Sequence, residues 1–131
     1  MRRALGALCW AGSSLALGTA VYLFVRPEAS SYLQLYFDPV ANPYPVPGLG
    51  SLPSLSHAFG FTLLSSLALG INRKTVLFSA GFWLLLELIF EFAQHPAVQP
   101  LTVYRGTFDP LDVVGIVVGV SAAALVARNC A

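Results

Sequence analysis

The sequence predicts an all-α integral membrane protein: one membrane domain, residues 1–131, built as a bundle of four transmembrane helices. Two observations predict this class. Apolar residues make up 56% of the chain and charged residues only 10%, which is too little charge for the surface of a soluble globule. Long runs with few charges also recur along the chain, and the mean hydropathy is +0.73.

The first helix is predicted over residues 4–25, which carry no charge and are long enough to cross a hydrocarbon layer of about 30 Å. Arg2 and Arg3 also fit the start of a cleaved signal peptide. The apolar part of such a signal is normally about 7–15 residues long, so a retained span is the expectation. The second helix is predicted over 54–71, with Pro53 where the start of a helix tolerates proline.

The third helix is predicted over 75–94, directly after a short polar turn at 72–74, which makes the second and third helices an antiparallel hairpin. The fourth helix is predicted over 111–127. A stripe of small residues at every fourth position would let another helix pack closely against it. The stripe consists of Gly115, Gly119 and Ala123.

Basic residues set the expected orientation. With four spans, both chain ends and the 72–74 turn lie on one side of the membrane. That side carries five basic residues and the other side carries two, so the positive-inside rule places both termini in the cytoplasm. The expected location is the inner membrane or the plasma membrane. The five are Arg2, Arg3, Arg73, Lys74 and Arg128, and the two are Arg26 and Arg105.

Two longer connections are then expected on the outer side, over 26–53 and 95–110. The first is rich in proline and aromatic residues. Its segment 30–37 is predicted to lie at the membrane interface as a short helix, and its segment 39–50 to extend as a cover over the mouth of the bundle. A plain linker is the alternative to a cover.

Polar and ionisable residues near the outer ends of the spans are the candidate site. Such residues are costly inside a membrane, so each one needs a structural or functional reason. Glu87 and Glu91 are four residues apart and Gln94 follows on the same helical face, with Glu87 the deeper carboxylate. The candidate ligand-binding residues are His57, Glu91, Gln94, Arg105 and Asp112, and the secondary candidates are Glu87 and Asp109. Asp109 is also expected to shape the turn or to cap the fourth helix.

These motifs resemble the VanZ-like membrane proteins. The resemblance covers about residues 54–127 and rests on Ser56-His57-Ala58-Phe59, on Glu91-Phe92-Ala93-Gln94, and on Arg105 followed by Asp112 and Gly119. Ile116 stands where the family pattern has Asn, and Tyr104 where it has Gly before the Arg. The resemblance implies a small helical membrane protein connected with the cell envelope and with glycopeptide resistance, and it implies no agreed biochemical activity.

Four hypotheses for the polar cluster stay open. It could be a structural network that ties the helices together, or a site that binds a lipid-linked anionic headgroup or cell-wall precursor through Arg105. It could be a hydrolase centre, either with Glu91 or His57 as a general base or with His57, Glu91 and Asp112 as ligands of a metal. Finally, the chain could be an accessory subunit packed against a larger membrane complex.

The sequence assigns no catalytic residue, no cofactor and no metal. Cys9 and Cys130 suggest neither a disulfide framework nor a zinc site. The net charge is only +1 and no run of Lys and Arg exceeds two residues, which argues against nucleic acid as a partner. The expected partner is the lipid bilayer.

Overall fold

A computed structural model describes residues 2–25, 48–98 and 108–130, with side chains in the first range described for residues 4–22. The described chain forms four α-helices, α1 (Arg2–Val25), α2 (Leu52–Ala68), α3 (Arg73–Ala93) and α4 (Pro110–Cys130). A short 3₁₀ turn, Leu49–Ser51, leads into α2. The all-α class predicted from the sequence is confirmed for these residues.

Successive helices run in opposite directions, so the bundle has two ends. Near one end, a buried cluster joins the first half of α1, the second half of α2, the start of α3 and the second half of α4. Near the other end, a second buried cluster joins α2 to α4, and apolar side chains of α3 pack against it. The first cluster consists of Ala7, Ala11, Leu63, Val76, Ala123 and Ala127, and the second of Ala58, Ile116 and Val120.

Charge divides between these two ends. Among the described residues, every basic residue belongs to the end that holds the first cluster, which we call the basic end. Every described carboxylate belongs to the opposite half, which we call the acidic end. The basic residues are Arg2, Arg3, Arg73, Lys74 and Arg128, and the acidic residues are Glu87, Glu91, Asp109 and Asp112.

Three helices are long and apolar enough to cross a membrane: α1 over Ala4–Tyr22, α3, and α4. They indicate a multi-pass membrane protein. α2 has 17 residues, about 25 Å at 1.5 Å per residue, which is shorter than a hydrocarbon layer of about 30 Å. The fourth span therefore stays a prediction, and so does the cytoplasmic placement of both termini.

The hairpin between α2 and α3 differs from the expected boundaries. α2 ends at Ala68 because Gly70, with φ +80°, takes a left-handed conformation that breaks the helix. α3 begins at Arg73 because the Asn72 side chain accepts the backbone N–H groups of Lys74 (2.9 Å) and Thr75 (3.1 Å), which is a strong start signal. The hairpin ends therefore differ from the predicted end near residue 71 and start near residue 75.

α2 is the central helix, with α1 and α4 packed closely against it. The small residues of α4 lie in this contact as the sequence predicts, since Gly115, Gly119 and Ala123 are all buried. A Cβ atom added to Gly119 would clash with the backbone carbonyl of Leu55 in α2. On the other side of α2, the Ser14 hydroxyl of α1 donates a hydrogen bond to the carbonyl of Ser56 (3.2 Å).

Two predicted features lie outside the described residues. They are the interfacial helix over 30–37 and nearly all of the extended cover over 39–50, of which the structure describes only the last residues. The second connection is described over 95–98 and 108–109, and Arg105 lies between these ranges. The other helix ends move slightly: α1 begins at Arg2 and α4 extends over Pro110–Cys130, against the predicted 4–25 and 111–127.

Candidate functional site

A cavity of about 250 Å³ lies at the acidic end, between α2 and α3 with one contribution from α4. One part of its wall is polar and comes from both α2 and α3. The other part is aromatic and aliphatic. The polar lining residues are Ser54, His57, Glu87, Glu91 and Gln94, and the others are Phe61, Trp83, Leu86, Phe90 and Ile116.

The polar residues of α3 reach the cavity because of their helical spacing. Glu87, Glu91 and Gln94 follow one another at i, i+4 and i+7 and so share one face, as the sequence predicts. Gln94 is the first residue after α3, and its amide nitrogen also donates to the carbonyl of Phe90 (3.3 Å). The cavity therefore receives two carboxyl groups and one amide from a single helix end.

His57 comes from the second turn of α2 and is half-buried. Its ring lies 5.9 Å from the ring of Phe61, one turn further along the same helix. His57 thus faces the carboxyl groups of α3 across the cavity, so four of the seven residues singled out by the sequence line one cavity.

An aromatic wall lines the side of the cavity that is nearer the middle of the bundle. The rings of Phe61 and Trp83 stack with centroids 4.8 Å apart, which joins α2 to α3. The Trp83 indole N–H donates to the Ser65 hydroxyl (3.0 Å), and that hydroxyl donates in turn to the carbonyl of Phe61 (2.7 Å). The indole is therefore fixed by both a stacked ring and a hydrogen bond.

Sequence patterns alone do not single out this wall. They predict only that Trp83 packs or faces lipid, and they assign no role to Ser54, Phe61 or Phe90. A spacing signal is nevertheless present, because Trp83 precedes Glu87 by four residues and Phe61 follows His57 by four. Each aromatic residue therefore lies on the same helical face as a polar candidate.

Glu91 has a second role, at the junction of α3 and α4. It is 5% exposed, and its carboxylate oxygen Oε1 accepts the backbone N–H of Asp109 (2.9 Å). Asp109 caps α4, since its carboxylate accepts the N–H of Leu111 (2.9 Å) directly before the first hydrogen-bonded turn. The cap expected for Asp109 is confirmed, and Glu91 holds the capped end of α4 against α3.

Asp112 does not belong to the cavity wall. Asp112 is buried in the first turn of α4, with 1% of its surface exposed, and its N–H donates to the carbonyl of Asp109 (2.9 Å). It is not among the residues that line the cavity, although Ile116, one turn further along, is. Arg105, the predicted contact for an anion, lies outside the described residues.

One oxygen of Glu87 has no hydrogen-bond partner in the described part of the chain. This atom, Oε1, is buried. Glu87 lies on the cavity wall between Trp83 and Glu91. A buried oxygen of this kind costs free energy unless it meets a donor, so this part of the wall favours a ligand with N–H or O–H groups.

A metal centre is not formed by the part of the chain that the structure describes. There, no group of three His, Cys, Asp or Glu side chains lies close enough to hold an ion. The set His57, Glu91 and Asp112, which the sequence offers as metal ligands, does not form such a group.

Comparisons with protein-family models, with curated proteins and with solved structures found no match to this chain. Its function must therefore be inferred from the fold and from the geometry of the acidic end.

Proposed function

We propose that this protein is a VanZ-like membrane protein that binds the polar headgroup of a lipid in the cavity at the acidic end. The positive-inside rule would place this end at the outer leaflet, because the basic end holds every described Arg and Lys. The observation that carries the proposal is the buried Glu87 oxygen without a described partner, on the wall of a cavity lined by other polar groups.

The cavity suits an amphipathic ligand. Its rim includes Phe61 and Phe90, which are 36% and 42% exposed and would contact lipid in a membrane. A ligand that moves sideways from the bilayer would pass these rings and bring its headgroup to the carboxyl groups of α3. Pockets of this kind commonly combine an apolar wall with a few polar groups that fix the orientation of the ligand.

The polar groups also indicate the chemistry of the headgroup. Two carboxyl groups, one imidazole, one amide and one hydroxyl line the cavity, and carboxylates accept hydrogen bonds from hydroxyl or amino groups. Sugar and amino groups of a headgroup would meet these acceptors. Arg105 would supply the contact to a phosphate, as the sequence predicts.

The connection to the cell wall comes from the family resemblance. A lipid-linked cell-wall precursor carries sugar hydroxyls, which would meet the acceptors of the cavity. It also carries phosphate, for which Arg105 is the contact that the sequence predicts. We therefore include such a precursor, and with it a role in glycopeptide resistance, in the proposal.

A structural tie is the second candidate, and one observation favours it. The hydrogen bond from the Asp109 N–H to Glu91 joins the end of α3 to the start of α4. The two roles fall on different residues, since Glu91 makes the tie and Glu87 carries the oxygen without a described partner. Substitutions at these two positions can therefore separate them.

The test compares wild type, Glu87→Gln and a control, Lys74→Gln, which removes a charge at the basic end. Each full-length protein is purified in mild detergent, its retained lipids are identified by native mass spectrometry, and its thermal unfolding is measured. We expect wild type and the control to retain the same polar lipid, and Glu87→Gln to retain about tenfold less at an unchanged unfolding temperature. A tenfold loss corresponds to about 1.4 kcal/mol, which is within the range of one net hydrogen bond.

Two outcomes would contradict the proposal. One is a wild-type protein that carries no specific lipid. The other is equal retention by wild type and Glu87→Gln. If Glu87→Gln instead unfolds several degrees lower and lipid retention is unchanged, Glu87 belongs to the structural tie.

A further inference from the structure

A second cavity, of about 350 Å³, lies at the basic end between α3 and α4. Its volume falls in the range of small-molecule sites, about 300–1,000 Å³. It is a groove formed by one face of each helix. α3 contributes Arg73, Val76 and Leu77, at i, i+3 and i+4, and α4 contributes Ser121, Ala124, Leu125 and Arg128, at i, i+3, i+4 and i+7.

The chemistry of this groove is divided along its length. Its wall is almost entirely apolar, and Val76 and Leu125 belong to the part that runs towards the centre of the bundle. Arg73 lies in the first turn of α3 and Arg128 in the last turn of α4, so both arginines line the end of the groove that belongs to the basic end of the bundle. The groove thus combines an apolar channel with two cations at one end.

The charge of the two arginines is not neutralised by the described part of the chain. Neither side chain forms an ion pair with a described residue, and all described carboxylates belong to the acidic end. Arg73 also lies at a helix N-terminus, where the helix dipole disfavours a cation. An anion bound between the arginines would neutralise their charge and would offset the unfavourable interaction of Arg73 with the helix dipole.

The anion would contact the guanidinium groups. The Asn72 side chain already accepts the N–H groups of Lys74 and Thr75 at the start of α3. Recognition would therefore depend on Arg73 and Arg128, whose planar guanidinium groups suit the oxygens of a phosphate.

We propose that this groove binds one anionic glycerophospholipid, with an acyl chain along the apolar wall and the phosphate between Arg73 and Arg128. The charge complementarity and the apolar channel support one amphipathic anion as the occupant. Basic pockets between membrane helices are known to take acidic lipid headgroups. This site lies at the opposite end of the bundle from the headgroup cavity and does not depend on it.

The test measures lipid binding to the full-length, delipidated protein in mild detergent by native mass spectrometry. Dioleoyl-phosphatidylglycerol is the anionic probe, and dioleoyl-phosphatidylcholine, with the same acyl chains and no net charge, is the neutral probe. We expect the wild-type protein to bind the anionic lipid more tightly than the neutral lipid. Arg73→Gln and Arg128→Gln should each weaken its binding about fivefold, which corresponds to about 1 kcal/mol for one basic residue, and should leave the neutral lipid unaffected.

Two further variants make the result specific. Lys74→Gln removes one charge beside Arg73 but does not line the groove, so we expect less than a twofold change. Ser121→Phe, at an exposed position on the groove wall, should weaken binding of both lipids while both arginines stay in place. The proposal is overturned if the arginine variants bind the anionic lipid as wild type does, or if Lys74→Gln lowers binding as much as they do.

Discussion

Close packing of α4 against α2 can be tested by adding a single methyl group at Gly119. In Gly119→Ala, the new Cβ would clash with the backbone carbonyl of Leu55 and would lie 3.0 Å from the Cβ of Ala58 and 3.1 Å from the backbone nitrogen of Phe59. Two of these three atoms belong to the backbone of α2 and cannot rotate away. The helices must therefore separate locally to accept the methyl group.

The expected loss of stability is best measured against Gly81→Ala. At Gly81, in α3, an added Cβ would meet nothing within 4 Å. Replacing glycine with alanine in a helix raises the free energy of unfolding by about 1 kcal/mol through helix propensity. This contribution is the same for both substitutions and cancels in the difference between them. Overpacking a tight contact costs about 1–3 kcal/mol, and we expect Gly119→Ala to be less stable than Gly81→Ala by this amount.

Gly115→Ala extends the comparison. Its Cβ would lie 3.1 Å from the Ser51 carbonyl oxygen and 3.3 Å from the Leu55 nitrogen, so the contact is tight but less severe than at Gly119. Its stability should therefore fall between those of the other two variants.

The assay is unfolding in mixed micelles with increasing SDS, followed by far-UV circular dichroism, which gives the free energy of unfolding for each variant. The expected order of stability is Gly81→Ala, then Gly115→Ala, then Gly119→Ala. Equal free energies for Gly119→Ala and Gly81→Ala, within about 0.5 kcal/mol, would refute the close approach of α4 to α2.

Three further predictions concern hydrogen bonds and use the same unfolding assay. Asp109→Ala should lower the free energy of unfolding by about 1 kcal/mol because α4 loses its cap, whereas Asp109→Asn, which still caps, should stay close to wild type. Glu91→Ala should lower the free energy of unfolding by about 1.5–3 kcal/mol because the Asp109 N–H loses its acceptor. Glu91→Gln keeps an acceptor oxygen and should lower it less. Equal losses for the two variants would refute the structural tie. Trp83→Phe keeps a ring stacked on Phe61 but removes the hydrogen bond to Ser65, so we expect the free energy of unfolding to fall by about 0.5–1.5 kcal/mol. In the double variant with Ser65→Ala, the two losses should not add, because both remove the same hydrogen bond. Additive losses would show that this bond does not contribute.

The four helices of the described residues and the packing stripe could be predicted because both depend on local pattern. Long apolar runs give the helices, and small residues at every fourth position give the face of α4 that meets α2. The exact hairpin boundaries could not be predicted in the same way. They depend on the left-handed conformation of Gly70 and on the reciprocal cap between Asn72 and Thr75, which involve only a few residues.

The candidate site could be predicted in part. Alternating helix direction brings His57 to the level of Glu91 and Gln94, and helical spacing adds Glu87. The sequence ranks Glu91 above the deeper Glu87, but it could not show that Glu91 accepts the Asp109 N–H and so holds α4, because this depends on where the Asp109 backbone lies. The aromatic wall also depends on side-chain packing between two helices, which spacing alone does not determine.

The most direct test of the headgroup cavity is photocrosslinking in the native membrane. Benzoylphenylalanine is placed at Phe90, on the cavity rim, or at Phe78, which lies on the same helix, is 66% exposed and does not line the cavity. The lipids attached after irradiation are then identified by mass spectrometry. We expect position 90 to capture one lipid class with a polar headgroup, enriched over its share of the membrane, while position 78 captures the bulk lipids. The same bulk lipid profile at both positions would contradict binding of a specific headgroup in the cavity.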